Sequence, residues 1–189
     1  MMITTIDPSY RNFAMARIEV LGRYDYKVID FRRPEFDLAL KKKSSLGVIE
    51  QRLKGAEYLS HFLEHINDSW YDTTHIIAEL PGGSQSARAA ICTGVVLGVL
   101  SSTQDKINFV RPMDVKKAVT KQMKLEGIKL KTKHPTKHDI IKWARGKHPE
   151  APWTNAIKYD EHYADAIAVC YAWEDLGRYL PMISVGGRK

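Results

Sequence analysis

Hydrophobic positions along the chain switch between two periods. Ile3 to Ile6 is a short apolar run that ends in a carboxylate, Asp7, and the turn sequence PSYRN follows it. From Phe13 to Leu21 Ala14, Ala16, Ile18 and Val20 share one face, the period-two signature of a strand. The turn GRYD leads into a third run, Tyr26 to Phe31. Gly and Asp both tolerate turn conformations, so the three runs read as an antiparallel meander. Between Val48 and Ile66 the period lengthens. Ile49, Leu53, Ala56, Leu59, Phe62, Leu63 and Ile66 recur at three and four, which predicts an amphipathic helix.

The second half alternates strand and helix. THIIAELPGG is a compact strand that again ends in an acid, Glu79, before Pro81, Gly82 and Gly83 turn the chain into a helix from about Ser86 to Leu100. Ile107 to Val110 is a fifth strand. RPMDVKKAVTKQ reads as a short helix with Pro112 in its first turn. A Lys-dense, poorly patterned segment follows, then helices from about Thr136 to Arg145 and from about Asp160 to Tyr179. The order predicts an α/β fold: a mixed five-stranded sheet, part antiparallel meander and part parallel crossovers, flanked by helices. Its 189 residues suit a single domain over 1–189, with no internal repeat and no low-complexity tract.

Charge sharpens this picture. The net charge is +7, but it is not spread evenly. From Arg111 to His148 there are 12 Lys/Arg against 3 Asp/Glu, a net of +9, whereas the remainder carries 17 against 19, a net of −2. Basic character concentrated in one stretch points to phosphate polymers, nucleic acid above all; a solvated Lys-rich loop is the plainer reading. Cys92 and Cys170 lie in apolar helical patterns without metal-ligand spacing and read as buried thiols of a reducing compartment. The N-terminus has no basic region followed by an apolar one, and AAICTGVVLGVL is too short and punctuated to span a bilayer, so the expected location is the cytoplasm, with no membrane partner.

Three predicted elements carry acids. Two strands end in Asp7 and Glu79, and the last helix holds His162 and Asp165 three residues apart, on one side of its first turns. Metal-dependent phosphodiester cleavage uses this equipment: carboxylates from different elements hold two Mg²⁺ ions about 3.5–4 Å apart. Mg²⁺ prefers oxygen ligands and keeps several waters. A histidine in the set serves as a ligand or as a base for the attacking water, and both roles stay open for His162. Singly, each residue has a plainer reading. Asp7 fits an Asp–Pro turn, Glu79 a surface acid before Pro-Gly-Gly, and Asp160 and Glu161 a helix N-terminus. Asp165, among alanines on an apolar helix, does not read as surface.

On these motifs the chain resembles the RuvC-like Holliday junction resolvases of the ribonuclease H-like superfamily, and especially their shorter phage-type members. IDPSYRNFAMARIE is similar to the family's first hairpin, HIIAELPGGSQSARAAICTGVVLGVL to its acid-ended fourth strand and the small-residue helix after it. RPMDVKKAVT, TKHDIIKWA and HYADAIAVCYA follow in the family's order. The resemblance covers most of the chain, the Asp37–Ser45 connection excepted. It implies that Asp7, Glu79, His162 and Asp165 bind two Mg²⁺ ions, with Mn²⁺ substituting. It also implies that Lys116 and Lys137 contact the scissile phosphate region or the DNA backbone. The implied reaction is water attack on a phosphodiester, leaving a 5′-phosphate and a 3′-hydroxyl, in DNA recombination and repair. A symmetric homodimer would nick opposing strands of a four-way junction.

Two features depart from the family pattern. The turn Leu80-Pro81-Gly82-Gly83 lacks the aromatic wedge of many members; Trp70, Tyr71, Trp143 and Trp153 are the alternatives for stacking, each also suited to core or rim packing. The Lys121–Lys133 stretch is more basic than the pattern needs. Lys117, Lys121, Lys129, Lys131 and Lys133 join Lys116 and Lys137 as candidate DNA contacts, serving sequence-independent phosphate binding. Ser86, Ala90, Gly94 and Gly98 recur every four residues and leave a smooth stripe, for packing on the sheet or for a partner helix; in the family this helix lies at the dimer interface. Rival readings are a ribonuclease H-like nuclease of broader or RNA–DNA hybrid specificity, and a non-catalytic DNA-binding protein. A sugar-kinase-like relative is set aside, because DPSYRN has no Gly-rich phosphate loop.

Overall fold

The computed structural model describes residues 1–10, 12–34, 48–81, 86–103 and 107–177. Five strands, β1 (Met2–Asp7), β2 (Ala14–Gly22), β3 (Asp25–Arg32), β4 (His75–Glu79) and β5 (Ile107–Val110), form one sheet in the order β3-β2-β1-β4-β5. The first three pair antiparallel, while β1–β4 and β4–β5 are parallel. The expected mixed sheet is therefore present, and the acid-ended β1 and β4 are neighbours at its middle.

Helices cover both faces, as the apolar parallel strands require. On one face α1 (Val48–Ser69) and α2 (Ala87–Ser102) bury Leu59, Leu63, Ile66, Val96, Val99 and Leu100 against Ile6, Met15, Ile76 and Ala78. On the other, α3 (Pro112–Leu125), α4 (Lys137–Lys147) and α5 (Ile157–Asp175) pack on Ile3, Ala14, Ala16, Ile18, Val20 and Ile77. The predicted inward face of β2 is thus correct.

Three expectations need correction. The helix at Pro112 is not short. Val115, Ala118, Val119, Gln122 and Met123 are buried at helical spacing, so α3 continues through Lys121 and Lys124. It ends at Leu125, and just beyond it Gly127, with a φ of 73°, lets Gly127 N–H bond Lys124 O and Ile128 N–H bond Met123 O. The inward stripe of α1 is also shifted at its start. Leu53 is 66% exposed, whereas Arg52 is 9% exposed. Finally, the last helix begins a turn before Asp160 and ends at Asp175; the predicted end at Tyr179, like the Asp37–Ser45 connection and the Gly82–Gly83 turn, lies outside the described residues.

The earlier start of α5 changes what Asp160 does. Its carboxylate is fully buried and accepts from Thr154 N–H (3.0 Å) and Thr154 Oγ1 (2.7 Å), while pairing with Arg145 of α4. It ties the 148–156 loop and α4 to α5 rather than capping a helix in solvent. Trp70 and Trp143 are buried, Trp153 packs on Phe31 with ring centroids 5.1 Å apart, and Tyr71 stands exposed. Cys92 is half-buried and Cys170 buried. Among the described residues no helix is long and apolar enough to cross a membrane.

Candidate active site

Strand alternation aims the two strand acids. Ile3 lies in the α3–α5 core and Ile6 in the α1–α2 core, so Asp7 shares the face of Ile3. Ile77 likewise belongs to the α3–α5 core, and Glu79 shares its face. Ile6 pairs with Ala78 in parallel register, which makes Asp7 and Glu79 the next residues on adjacent strands. Both acids therefore emerge at the carboxyl ends of the two central strands, on the side covered by α5.

From α5 come His162 and Asp165. His162 Nδ1 lies 2.9 Å from Asp7 Oδ2, with the two side chains 15% and 17% exposed. One ligand atom from each of Asp7, His162 and Asp165 lies within 4.8 Å of the others, an arrangement able to hold a metal ion. Glu79 stands beside this trio, because the charges of Asp7 and Asp165 act on it. Burial, then those two carboxylates, push Glu79 up to about 7 against the opposing field of Lys116. Burial and Asp7 push Asp165 up to about 7 as well, opposed by Lys137 and His162. Burial and mutual repulsion thus disfavour full ionisation of these carboxyl groups, and a divalent cation would relieve that repulsion. Carboxylate oxygens with one imidazole suit a hard, oxygen-preferring ion. All four predicted ligand positions are accordingly brought to one place, three as a tight cluster and Glu79 at its edge.

The lysines divide into groups. Lys137, the first residue of α4, follows a Thr136 cap in a reciprocal capping box with Asp139. Its Nζ pairs with Glu161, and its pKa is raised by that bond first and by the fields of Asp165 and Asp7 as well, which places the ammonium at the rim of the acids. Lys116, on the exposed side of α3, is near enough to act on Glu79. Lys117, Lys121, Lys124 and Lys133 line a separate groove of about 490 Å³ with His134. Within it Lys121 is partly neutralised by Asp175 (2.6 Å). Lys129 and Lys131 are exposed. The stripe of Ser86, Ala90, Gly94 and Gly98 faces outward, with Ile91 53% exposed on the same helix, so it does not pack on its own sheet.

Two residues near the acids were not singled out from sequence. Glu161 holds Lys137, and Arg52 lines the same cleft as Asp7 and Glu79. For Glu161 the spacing was visible, adjacent to His162; for Arg52 only its place on α1 reveals it.

A mixed sheet of this strand order, covered by helices on both faces, matches the ribonuclease H-like fold of solved RuvC structures. The chain superposes on Thermus thermophilus RuvC in complex with a Holliday junction substrate, with a TM-score of 0.65 and 17% identity over 94% of this chain and 95% of that one. A second Thermus thermophilus RuvC structure matches with a TM-score of 0.58 and 15% identity over 94% and 97%. The yeast mitochondrial Holliday junction resolvase matches with a TM-score of 0.51 and 11% identity over 95% and 83%. No protein-family model and no curated protein sequence matches the chain. The resemblance to RuvC-like Holliday junction resolvases drawn from the sequence thus holds at the level of the fold.

Proposed function

We propose that this chain is a Mg²⁺-dependent endodeoxyribonuclease that resolves four-way junctions, and other branched DNA, by hydrolysing phosphodiesters. The observation that carries the reading is the meeting of Asp7, His162 and Asp165, from β1 and α5, within 4.8 Å, with Glu79 of β4 at their edge. These four residues would hold two ions. When bound, such ions supply Lewis acidity at a phosphoryl oxygen and lower the pKa of a bound water.

The chain's own groups then have distinct parts. With Asp7 ionised, the His162 Nδ1 proton is donated to it, which fixes the ring and leaves Nε2 as the lone-pair nitrogen. Lys137, held by Glu161, and Lys116 offer positive charge to the scissile phosphate region. Lys117, Lys121, Lys129, Lys131 and Lys133 supply a sequence-independent grip on the backbone within the basic segment 111–148, all in one nuclease unit over 1–189. The outward stripe of α2 is the face on which a second copy would dock, so that paired sites address opposing strands of a junction.

The test is nicking of end-labelled four-way junction, fork, linear duplex and RNA–DNA hybrid in Mg²⁺. The reading expects paired symmetric nicks in the junction, products with 5′-phosphates that a ligase reseals, and a spared duplex. Cutting confined to the hybrid would favour the broader ribonuclease H-like alternative. Binding without cutting in Mg²⁺ or Mn²⁺ would leave a non-catalytic DNA-binding protein.

A further inference from the structure

The cleft at the acid ends of β1 and β4 is larger than the acid cluster needs. It encloses about 600 Å³ and runs from Asp7 and Glu79 to Tyr10, Arg52 of α1, and Ser86 at the start of α2. Arg52 is 9% exposed, and its guanidinium lies over the Tyr10 ring, 4.8 Å from the centroid. Among the described residues no carboxylate pairs with it. Burying a guanidinium is costly unless an anion joins it, and an aromatic face offsets that cost only in part.

Local structure is shaped to keep it there. Tyr10 rests across α1 at Gly55, where any Cβ would overlap the Tyr10 hydroxyl. Tyr10 is itself 7% exposed, so the ring is a fixed platform for Arg52. Across the same cleft Ser86 caps α2, accepting from Ala89 N–H at 3.2 Å, and the first-turn amides of this 16-residue helix add positive potential. Opposite them stand the carboxyl groups of Asp7 and Glu79, so the cleft has an acidic end and a cationic end.

We propose that Arg52, set by Tyr10 and joined by the N-terminus of α2, forms a subsite for one DNA backbone phosphate next to the phosphodiester at the acid cluster. The planar guanidinium suits a two-oxygen contact with a phosphate, and the buried setting strengthens it. Binding there positions the strand; it does not read sequence. The inference rests on the nuclease reading above.

Single neutral methylphosphonate linkages, placed in turn around the cut site of a four-way junction, provide the test, with single-turnover nicking measured for wild type and Arg52→Met. One linkage adjacent to the cut is expected to slow wild type by about 10- to 100-fold, the range of a charged hydrogen bond. Arg52→Met is expected to slow the unmodified junction similarly and to show no further loss at that linkage. Losses that multiply at every linkage would overturn the subsite. If Arg52→Met does not fold, Arg52→Lys, which keeps the charge without the fork, is expected to show a reduced but non-zero penalty at that same linkage; a penalty equal to wild type at every linkage overturns it too. A wild-type protein that cuts no DNA defeats the nuclease reading itself, whereas one that cuts without this coupling defeats the subsite alone.

Discussion

Replacing Asp7 by Asn should abolish cutting and yet make the metal-free fold more stable at high pH. Asp7 and Asp165 have ligand atoms within 4.8 Å of each other, and Glu79 feels both charges. At an effective dielectric of about 20, two unit charges that far apart repel by roughly 3.5 kcal/mol. Solvent reaches Asp7, and the charge-assisted bond to His162 weakens in the variant, so a net gain of about 1 kcal/mol is expected near pH 8. For a chain of this size that raises Tm by about 2–4 °C. The sign reverses in acid. Glu79 and Asp165 have folded pKa values of about 7, above their ordinary 4.5 and 3.8, so both are neutral near pH 5 and the repulsion is gone. Wild-type stability is therefore fully present below the ordinary carboxylate range and lost as pH rises through about 7. Thermal melts in chelator at both pH values, followed by circular dichroism, measure this. Added Mg²⁺ should stabilise wild type near pH 8, by about 1.4 kcal/mol at ten times Kd, and leave Asp7→Asn unmoved. An Asp7→Asn protein less stable than wild type near pH 8, or equally responsive to Mg²⁺, would refute the electrostatic reasoning.

Other perturbations separate fold from chemistry. Asp160→Ala strips two Thr154 hydrogen bonds and leaves Arg145 without its partner, so it should cost about 3–5 kcal/mol in urea melts. Because the Arg145 and Thr154 bonds outweigh burial and hold Asp160 below the usual range, its contribution is present above the ordinary carboxylate pKa and is lost as pH falls below it. Gly55→Ala should destabilise by about 1–3 kcal/mol despite a better helix propensity, and Tyr10→Phe in the same chain should recover part of that loss. Changing Lys129, Lys131 and Lys133 together to Ala should weaken binding of junction and duplex alike and reduce the salt slope of log K by about 2–3; an unchanged slope would remove that loop from the interface.

The site was legible where local pattern and chemistry coincide. Asp7 and Glu79 each end a short apolar run, and period-two alternation then decides which face they share. His162 and Asp165 are three apart on an apolar helix, so their common direction follows from helix geometry. Where composition masks pattern, the elements are less legible. The lysines of α3 hide the stripe of Val115, Ala118, Val119, Gln122 and Met123, so the sequence pattern alone predicts a shorter helix. Arg52 is not legible from local pattern, because its inward position over the Tyr10 ring joins segments far apart in the chain. Asp160 does sit in the first turn of the last helix, as its place in the pattern suggests, but its partners Thr154 and Arg145 lie in a loop and on another helix, beyond local pattern. The fold is shared with RuvC at only 17% identity, so most of what specifies it is not the identity of individual side chains.

The most direct test of the central claim is an anomalous-scattering map from crystals of the wild-type chain soaked in Mn²⁺, at a wavelength where the ion alone scatters strongly. Two peaks among Asp7, Glu79, His162 and Asp165, both missing from Asp7→Asn crystals treated identically, are what the account predicts. Well-ordered crystals with no peak at these four residues, or with peaks that persist in the variant, would contradict it.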